Sequence, residues 1–128
     1  VNIVSSALGD AMNITSADLA YGQNEFAAAG LEMAACNTVK VPRVAAAPAA
    51  LECKLWKVIK LPKPETSSAG TAGAGVMVIG MITGIHIADE TVKDGTIDVT
   101  SDQPLARLGY MDYARIDDVF AMPRPAVK

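Results

Sequence analysis

Hydrophobic positions concentrate in two runs. In Ala49–Leu61, AALECKLWKVIKL, one face carries Leu51, Cys53, Leu55, Ile59 and Leu61, and the other carries Glu52, Lys54 and Lys60. Successive side chains of a strand leave the backbone on opposite sides, so this alternation predicts a half-buried strand with its charged face outward. Lys57 interrupts the apolar face, and Trp56 and Val58 interrupt the polar one. The second run, Val76–Ile87, VMVIGMITGIHI, is apolar on both faces. That pattern predicts a central strand covered on both sides. A buried helix is the alternative, disfavoured by Gly80, Gly84 and the β-branched Val76, Val78, Ile79 and Ile82. The joining stretch Lys63–Gly75, KPETSSAGTAGAG, holds nothing that builds a core and reads as a mobile hairpin tip. A phosphate-cradling loop is the sharper reading of its glycines, but no GK[ST] ending follows.

The rest of the pattern is shorter in range. Val1–Ser5 reads as a strand. Ser5 or Ser6 then caps a helix with Ala7, Leu8, Ala11 and Met12 as its inward stripe, which ends at Asn13. A second helix is predicted over Glu25–Ala29, with Asn24 as N-cap and Gly30 just past its end. Leu31–Lys40 reads as an extended arm, and Val41–Val44, around Pro42, is extended as well. Asp94-Gly95 signals a turn before a short strand at Thr96–Val99. Asp89, Glu90 and Asp94 lack the alternating oxygens and closing Glu of a calcium loop, so a solvated loop is expected there. Together these elements predict a mainly β protein, an antiparallel barrel or split barrel with two short early helices.

Composition narrows the partners. The 128 residues make one domain or part of one, with formal net charge −3 and 51% hydrophobic content. No basic patch or Lys/Arg run offers a nucleic-acid footprint, and no apolar stretch reaches membrane-spanning length. The opening VNIVSSALGD, with no basic flank and no A-x-A site, is not expected to be a signal peptide, and two cysteines, Cys36 and Cys53, do not imply an oxidising compartment, so cytoplasm is expected. A buried thiol at Cys53 and a disulfide to Cys36 both stay open. The chain starts without Met inside a strand pattern, and sequence upstream of Val1 is expected.

Candidate chemistry is sparse. With a single histidine, His86, and no CxxC, neither a two-histidine triad nor a multi-histidine metal site exists, and no metal centre is expected. His86 closes the second apolar run beside Asp89 and Glu90, either as a satisfied strand-end histidine or as a donor facing a ligand at the barrel mouth. Arg107, Gly109, Tyr110 and Tyr113 form the most suggestive cluster. Arginine meets a phosphate or carboxylate with two parallel hydrogen bonds, and tyrosine stacks on a flat ring. A packed tail held by an aromatic and an ion pair is the plainer alternative.

Four segments, NEFAAAGLEM, VPRVAAAPAALECKLWKVIKLP, VIGMITGIHIADETVKDGTIDV and PLARLGYMDYARIDDVFAMPRP, in that order, resemble the flavin reductase-like, FMN-binding split-barrel family. Within it they resemble the nitrilotriacetate monooxygenase component B-like group, and VNIVSSALGDAMNITSA is similar to a strand and helix past that group's mid-protein. The resemblance implies a Greek-key antiparallel split barrel, a homodimer and noncovalent FMN near the subunit interface. It also implies reduction of FMN by NADH or NADPH and delivery of reduced flavin to a partner such as a monooxygenase. Simple FMN holding or a dimerisation role is the alternative. The family's first half has no counterpart here, so residues 1–128 are expected to be one partial split barrel. By the same resemblance, Asn13, Thr15 and Ser16 bring polar groups near the flavin, and Arg107, Tyr110 and Tyr113 approach it or the neighbouring subunit. His86 joins them as a candidate cofactor contact. No catalytic acid or base is assigned, because hydride transfer to a flavin depends on stacking and distance.

Overall fold

A computed structural model describes residues 1–62 and 75–126. The expected hairpin tip falls almost wholly on residues 63–74, outside the described ones. The architecture is mainly β and every ladder is antiparallel. Two short helices, α1 (Gly9–Thr15) and α2 (Glu25–Ala29), come first. The strands follow in chain order: β1 (Met33–Ala34), β2 (Arg43–Val44), β3 (Ala49–Lys60), β4 (Val76–Ile87), β5 (Val92–Lys93), β6 (Thr96–Ile97), β7 (Leu105–Gly109) and β8 (Asp112–Arg115). They pair as β1–β2, β3–β4, β5–β6 and β7–β8.

Local chemistry explains the small elements. Asn24 Oδ1 accepts the Phe26 N–H at 2.9 Å, and Gly30 ends α2 with φ 64°, as the sequence predicts. Asp94 and Gly95, both at positive φ, turn β5 into β6. The expected serine cap of α1 is not made. A single tight turn over Ser6–Leu8 precedes the helix, and the Ser6 hydroxyl instead donates to Gln103 Oε1 at 3.3 Å. The helix then runs on past Asn13 to Thr15.

The long hairpin β3–β4 carries two irregularities. Register shifts fall between Glu52 and Cys53 and between Leu55 and Lys57, leaving Thr83 and Trp56 as extra residues. The second shift explains the broken alternation of the sequence. Leu55 opposes Gly80 and Val58 opposes Val78, so Leu55 and Val58 share a face; Lys54 and Lys57, opposite Met81 and Ile79, share the other. Slipping the phase by one residue thus returns Lys57 to the lysine face and Val58 to the leucine face, and it carries Ile59 away from Leu51.

Two expectations about burial are overturned. Glu52, assigned to the outward face, is 2% exposed, while Leu55 on the apolar face is 68% exposed. Four hydrogen bonds to its carboxylate make burial of Glu52 tolerable. The apolar side chains, by contrast, meet no covering layer among the described residues. For the same reason β4 is not covered on both sides: Val78, Met81, Ile82 and Ile85 are exposed, and β3 is its only strand partner among the described residues. The buried apolar centre is small, Ala47 and Ala50, and lies where β3 begins. Cys36 and Cys53 are free thiols. No described helix is long and apolar enough to cross a membrane.

The first residues stitch the molecule together. Val1 and Leu51 exchange hydrogen bonds at 2.8 and 2.7 Å, and Ile3 N–H donates to Ala49 C=O. Val4 C=O then accepts the Leu105 N–H at 2.9 Å, and Ser5 bridges Pro104. The predicted strand at Val1–Ser5 therefore survives as an extended segment bridging β3 on one side and the start of β7 on the other.

Candidate functional site: a groove between the first helix and the last hairpin

This stitching brings α1 against the β7–β8 hairpin. Gly9 permits the close approach, because a Cβ there would stand 3.0 Å from Leu105 Cδ1. The register opposes Leu105 to Arg115 and Arg107 to Tyr113, so all four side chains share one face of the hairpin. That face and α1 enclose a groove of about 610 Å³. Its walls include Asn13 and Ser16 from the helix and Arg107, Tyr110, Tyr113 and Arg115 from the hairpin. An adjoining hollow of about 570 Å³ shares Asn13, Ser16, Arg107 and Tyr113 and adds Thr15.

The polar groups of the groove are already oriented. Thr15 Oγ1 donates to Met12 C=O and Ser16 Oγ donates to Asn13 C=O, each at 2.7 Å. Both hydroxyls spend their protons on the helix, so their lone pairs are what they offer a ligand. One Arg107 η-nitrogen donates to Tyr110 C=O at 3.0 Å, which fixes the guanidinium beside the turn. Its carbon lies 6.0 Å from the Tyr113 ring centroid, at the outer limit of a cation–π contact. Tyr110 itself is at φ 47° and its side chain is exposed. Two guanidiniums and two phenol rings around one open concavity suit a flat molecule with an anionic arm. Asp10, on the helix wall, also lines the groove and is the opposing charge there.

Asn13, Thr15, Ser16, Arg107, Tyr110 and Tyr113 are thus brought together. His86 is not among the residues that line the groove. It sits on β4 in a second cluster, its Nε2 against Glu52 Oε1. Glu52 also accepts the Asn37 N–H at 2.8 Å, the Thr38 hydroxyl at 2.6 Å and the Thr38 N–H. The Asn37 N–H, the Thr38 hydroxyl and His86 hold the Glu52 carboxyl well below the usual carboxylate range, against the opposing effect of its burial. Cys36 completes this cluster. A count of histidines and CxxC pairs in the sequence does not reveal a mixed-donor grouping of this kind. The one sequence signal for it is an acid at an inward-capable strand position, Glu52, flanked by Leu51 and Cys53. Arg115 was missed as well, although it stands two residues beyond Tyr113, the spacing that keeps a strand's side chains on one face.

Comparison with known proteins follows the fold. The flavin reductase like domain matches residues 1–112. An uncharacterized protein of Halalkalibacterium halodurans is 29% identical over 127 residues, covering 99% of this chain and 58% of its own length. The crystal structure of nitrilotriacetate monooxygenase component B from Bacillus cereus superimposes with TM-score 0.83 at 28% identity, over 95% of this chain and 58% of that one. A protein with a split barrel domain from Shewanella frigidimarina gives TM-score 0.79 at 24% identity, over 97% of this chain and 59% of that one, a likeness of fold. The chain therefore spans a little over half the length of these relatives. It has the split-barrel fold, and it belongs to the family of the flavin reductase like domain.

Proposed function

We propose that this chain contributes part of the flavin site of an NAD(P)H-dependent flavin reductase, with FMN as the flavin. The observation that carries the reading is the groove in which Arg107, Arg115, Tyr110 and Tyr113 face Asn13 and Ser16. Its volume, about 610 Å³, falls within the roughly 300–1,000 Å³ range of small-molecule sites. The residues fit the group. Arg107 and Arg115 would hold the phosphate, Tyr113 would lie against the ring system, and Asn13 and the Ser16 oxygen would meet its polar edge. FMN, when bound, supplies hydride acceptance and electron delivery. The protein's own work is orientation: the Arg107–Tyr110 hydrogen bond holds the cation in place before a ligand arrives, which reduces the ordering cost of binding.

On this reading NADH or NADPH is the electron donor and a monooxygenase a candidate acceptor, by analogy with the Bacillus cereus component B. The exposed apolar face of β3–β4, with Leu55, Val58, Ile82 and Ile85, supports pairing of two copies into a homodimer. Free thiols at Cys36 and Cys53 suit the cytoplasm. Titration of the protein into FMN, followed by quenching of flavin fluorescence, tests the proposal. Saturable quenching supports it, and fluorescence identical to free FMN at all protein concentrations contradicts it. Bound flavin without NAD(P)H oxidation above the free-flavin rate would favour the holding role instead.

A further inference from the structure

We propose that Cys36, Glu52 and His86 form a binding site for one divalent transition metal ion, with zinc the ion their chemistry suits best. The three ligand atoms come from separate elements, the arm after β1, strand β3 and strand β4, and all lie within 4.8 Å of one another. Tetrahedral zinc with sulfur, nitrogen and oxygen ligands sets neighbouring ligand atoms about 3.3–3.7 Å apart, a spacing this cluster reaches by small side-chain adjustment. Sulfur, imidazole and carboxylate together are a donor set for zinc rather than for calcium or magnesium.

Charge balance favours the same ion. A thiolate at Cys36 and the Glu52 carboxylate neutralise a dication, while neutral His86 contributes only its lone pair. The metal and its two anionic ligands are then neutral together, which adds no net charge around Glu52 at 2% exposure. Binding releases the Cys36 thiol proton to solvent, and the metal takes the place of the direct His86–Glu52 contact. The outer contacts are already in place. Glu52 keeps the Asn37 and Thr38 N–H donors, and the Thr38 hydroxyl, 2.6 Å from Thr83 Oγ1, ties the carboxylate to β4. A hollow of about 270 Å³ lined by Cys36, Glu52 and Arg43 gives the ion an entry path and leaves room for a fourth ligand. Arg43, whose Nε is buried without a hydrogen-bond partner among the described residues, lines that hollow, and its positive charge would balance an anion or hydroxide in the fourth position.

The test is titration of the reduced full chain with Co²⁺ as a spectroscopic stand-in, followed by displacement with Zn²⁺. The proposal expects a one-to-one endpoint, thiolate-to-cobalt charge-transfer absorption in the near ultraviolet and its loss on adding zinc. Cys36→Ser should abolish the charge-transfer band, and His86→Gln should weaken binding by at least about 100-fold, beyond what loss of an outer-shell partner costs. Both variants are checked for native circular dichroism. A folded Cys53→Ser protein serves as control and should bind as the parent does. Absence of thiolate absorption in the parent at millimolar cobalt, or binding unchanged in folded Cys36→Ser, overturns the proposal.

Discussion

Arg107 and Tyr113 oppose each other across the β7–β8 ladder, guanidinium carbon 6.0 Å from ring centroid, on the face that looks onto α1. Neither residue supports a core, since both are exposed, so their replacement should leave stability nearly unchanged. Their expected effect is on ligand. Loss of a charge-assisted hydrogen bond costs about 1.5–3 kcal/mol, so Arg107→Ala should weaken FMN binding roughly 10- to 100-fold. Tyr113→Ala removes stacking worth about 0.5–1.5 kcal/mol and should weaken it roughly 2- to 10-fold. Fluorescence titrations of both variants, beside their unfolding curves, separate the two effects.

Gly84 faces Glu52 across β3–β4, and a Cβ on it would lie 3.1 Å from Glu52 Cδ and 3.3 and 3.4 Å from the two carboxylate oxygens. Gly84→Ala must push the carboxylate off the Asn37 and Thr38 donors. We expect destabilisation of about 1–3 kcal/mol, the range for overpacking a filled site, read as a lower urea midpoint with an unchanged slope. Gly22→Ala, with nothing near its Cβ position but φ 89°, is expected to lose stability through backbone strain alone.

Asp98 provides the pH-sensitive contact. Its carboxyl is held down to about 2 from 3.8, first by the hydrogen bond from Lys93 and then by Thr100. A depressed folded value means that the contact stabilises the β5–β6 hairpin above pH 3.8 and that this contribution is lost as pH falls from there toward about 2. Carboxyl carbon shifts followed by NMR should give a midpoint for Asp98 clearly below the ordinary aspartate value of 3.8. A midpoint at 3.8 or above contradicts the Lys93 and Thr100 contacts.

What the chain reveals before folding is mostly what is local. The α2 cap pair Asn24 and Gly30 and the Asp94-Gly95 turn depend on neighbours within a few residues, and both were legible. Trp56 was not. A bulge is defined by two residues opposing one, and the opposing strand lies beyond a 12-residue span not described between β3 and β4. Glu52 was misread because periodicity assigns a charged residue to solvent, while its partners, the Asn37 and Thr38 amides, come from a separate arm. The apolar pattern of β4 records a demand for cover on both faces and says nothing of where that cover comes from. Within the groove, residue type pointed to Arg107, Tyr110 and Tyr113, but only the register joins Arg115 to them, and it takes the contacts of Val4, Ser5 and Ser6 with Gln103, Pro104 and Leu105 to bring α1 alongside.

The location of the flavin is the central claim, and amide chemical-shift mapping of the isotope-labelled chain during FMN addition tests it most directly. Saturating shifts are expected at Asn13–Ser16 and Arg107–Tyr113, with Cys36, Glu52 and His86 unmoved. Saturable FMN binding that shifts other residues and leaves both of those stretches unchanged would contradict it.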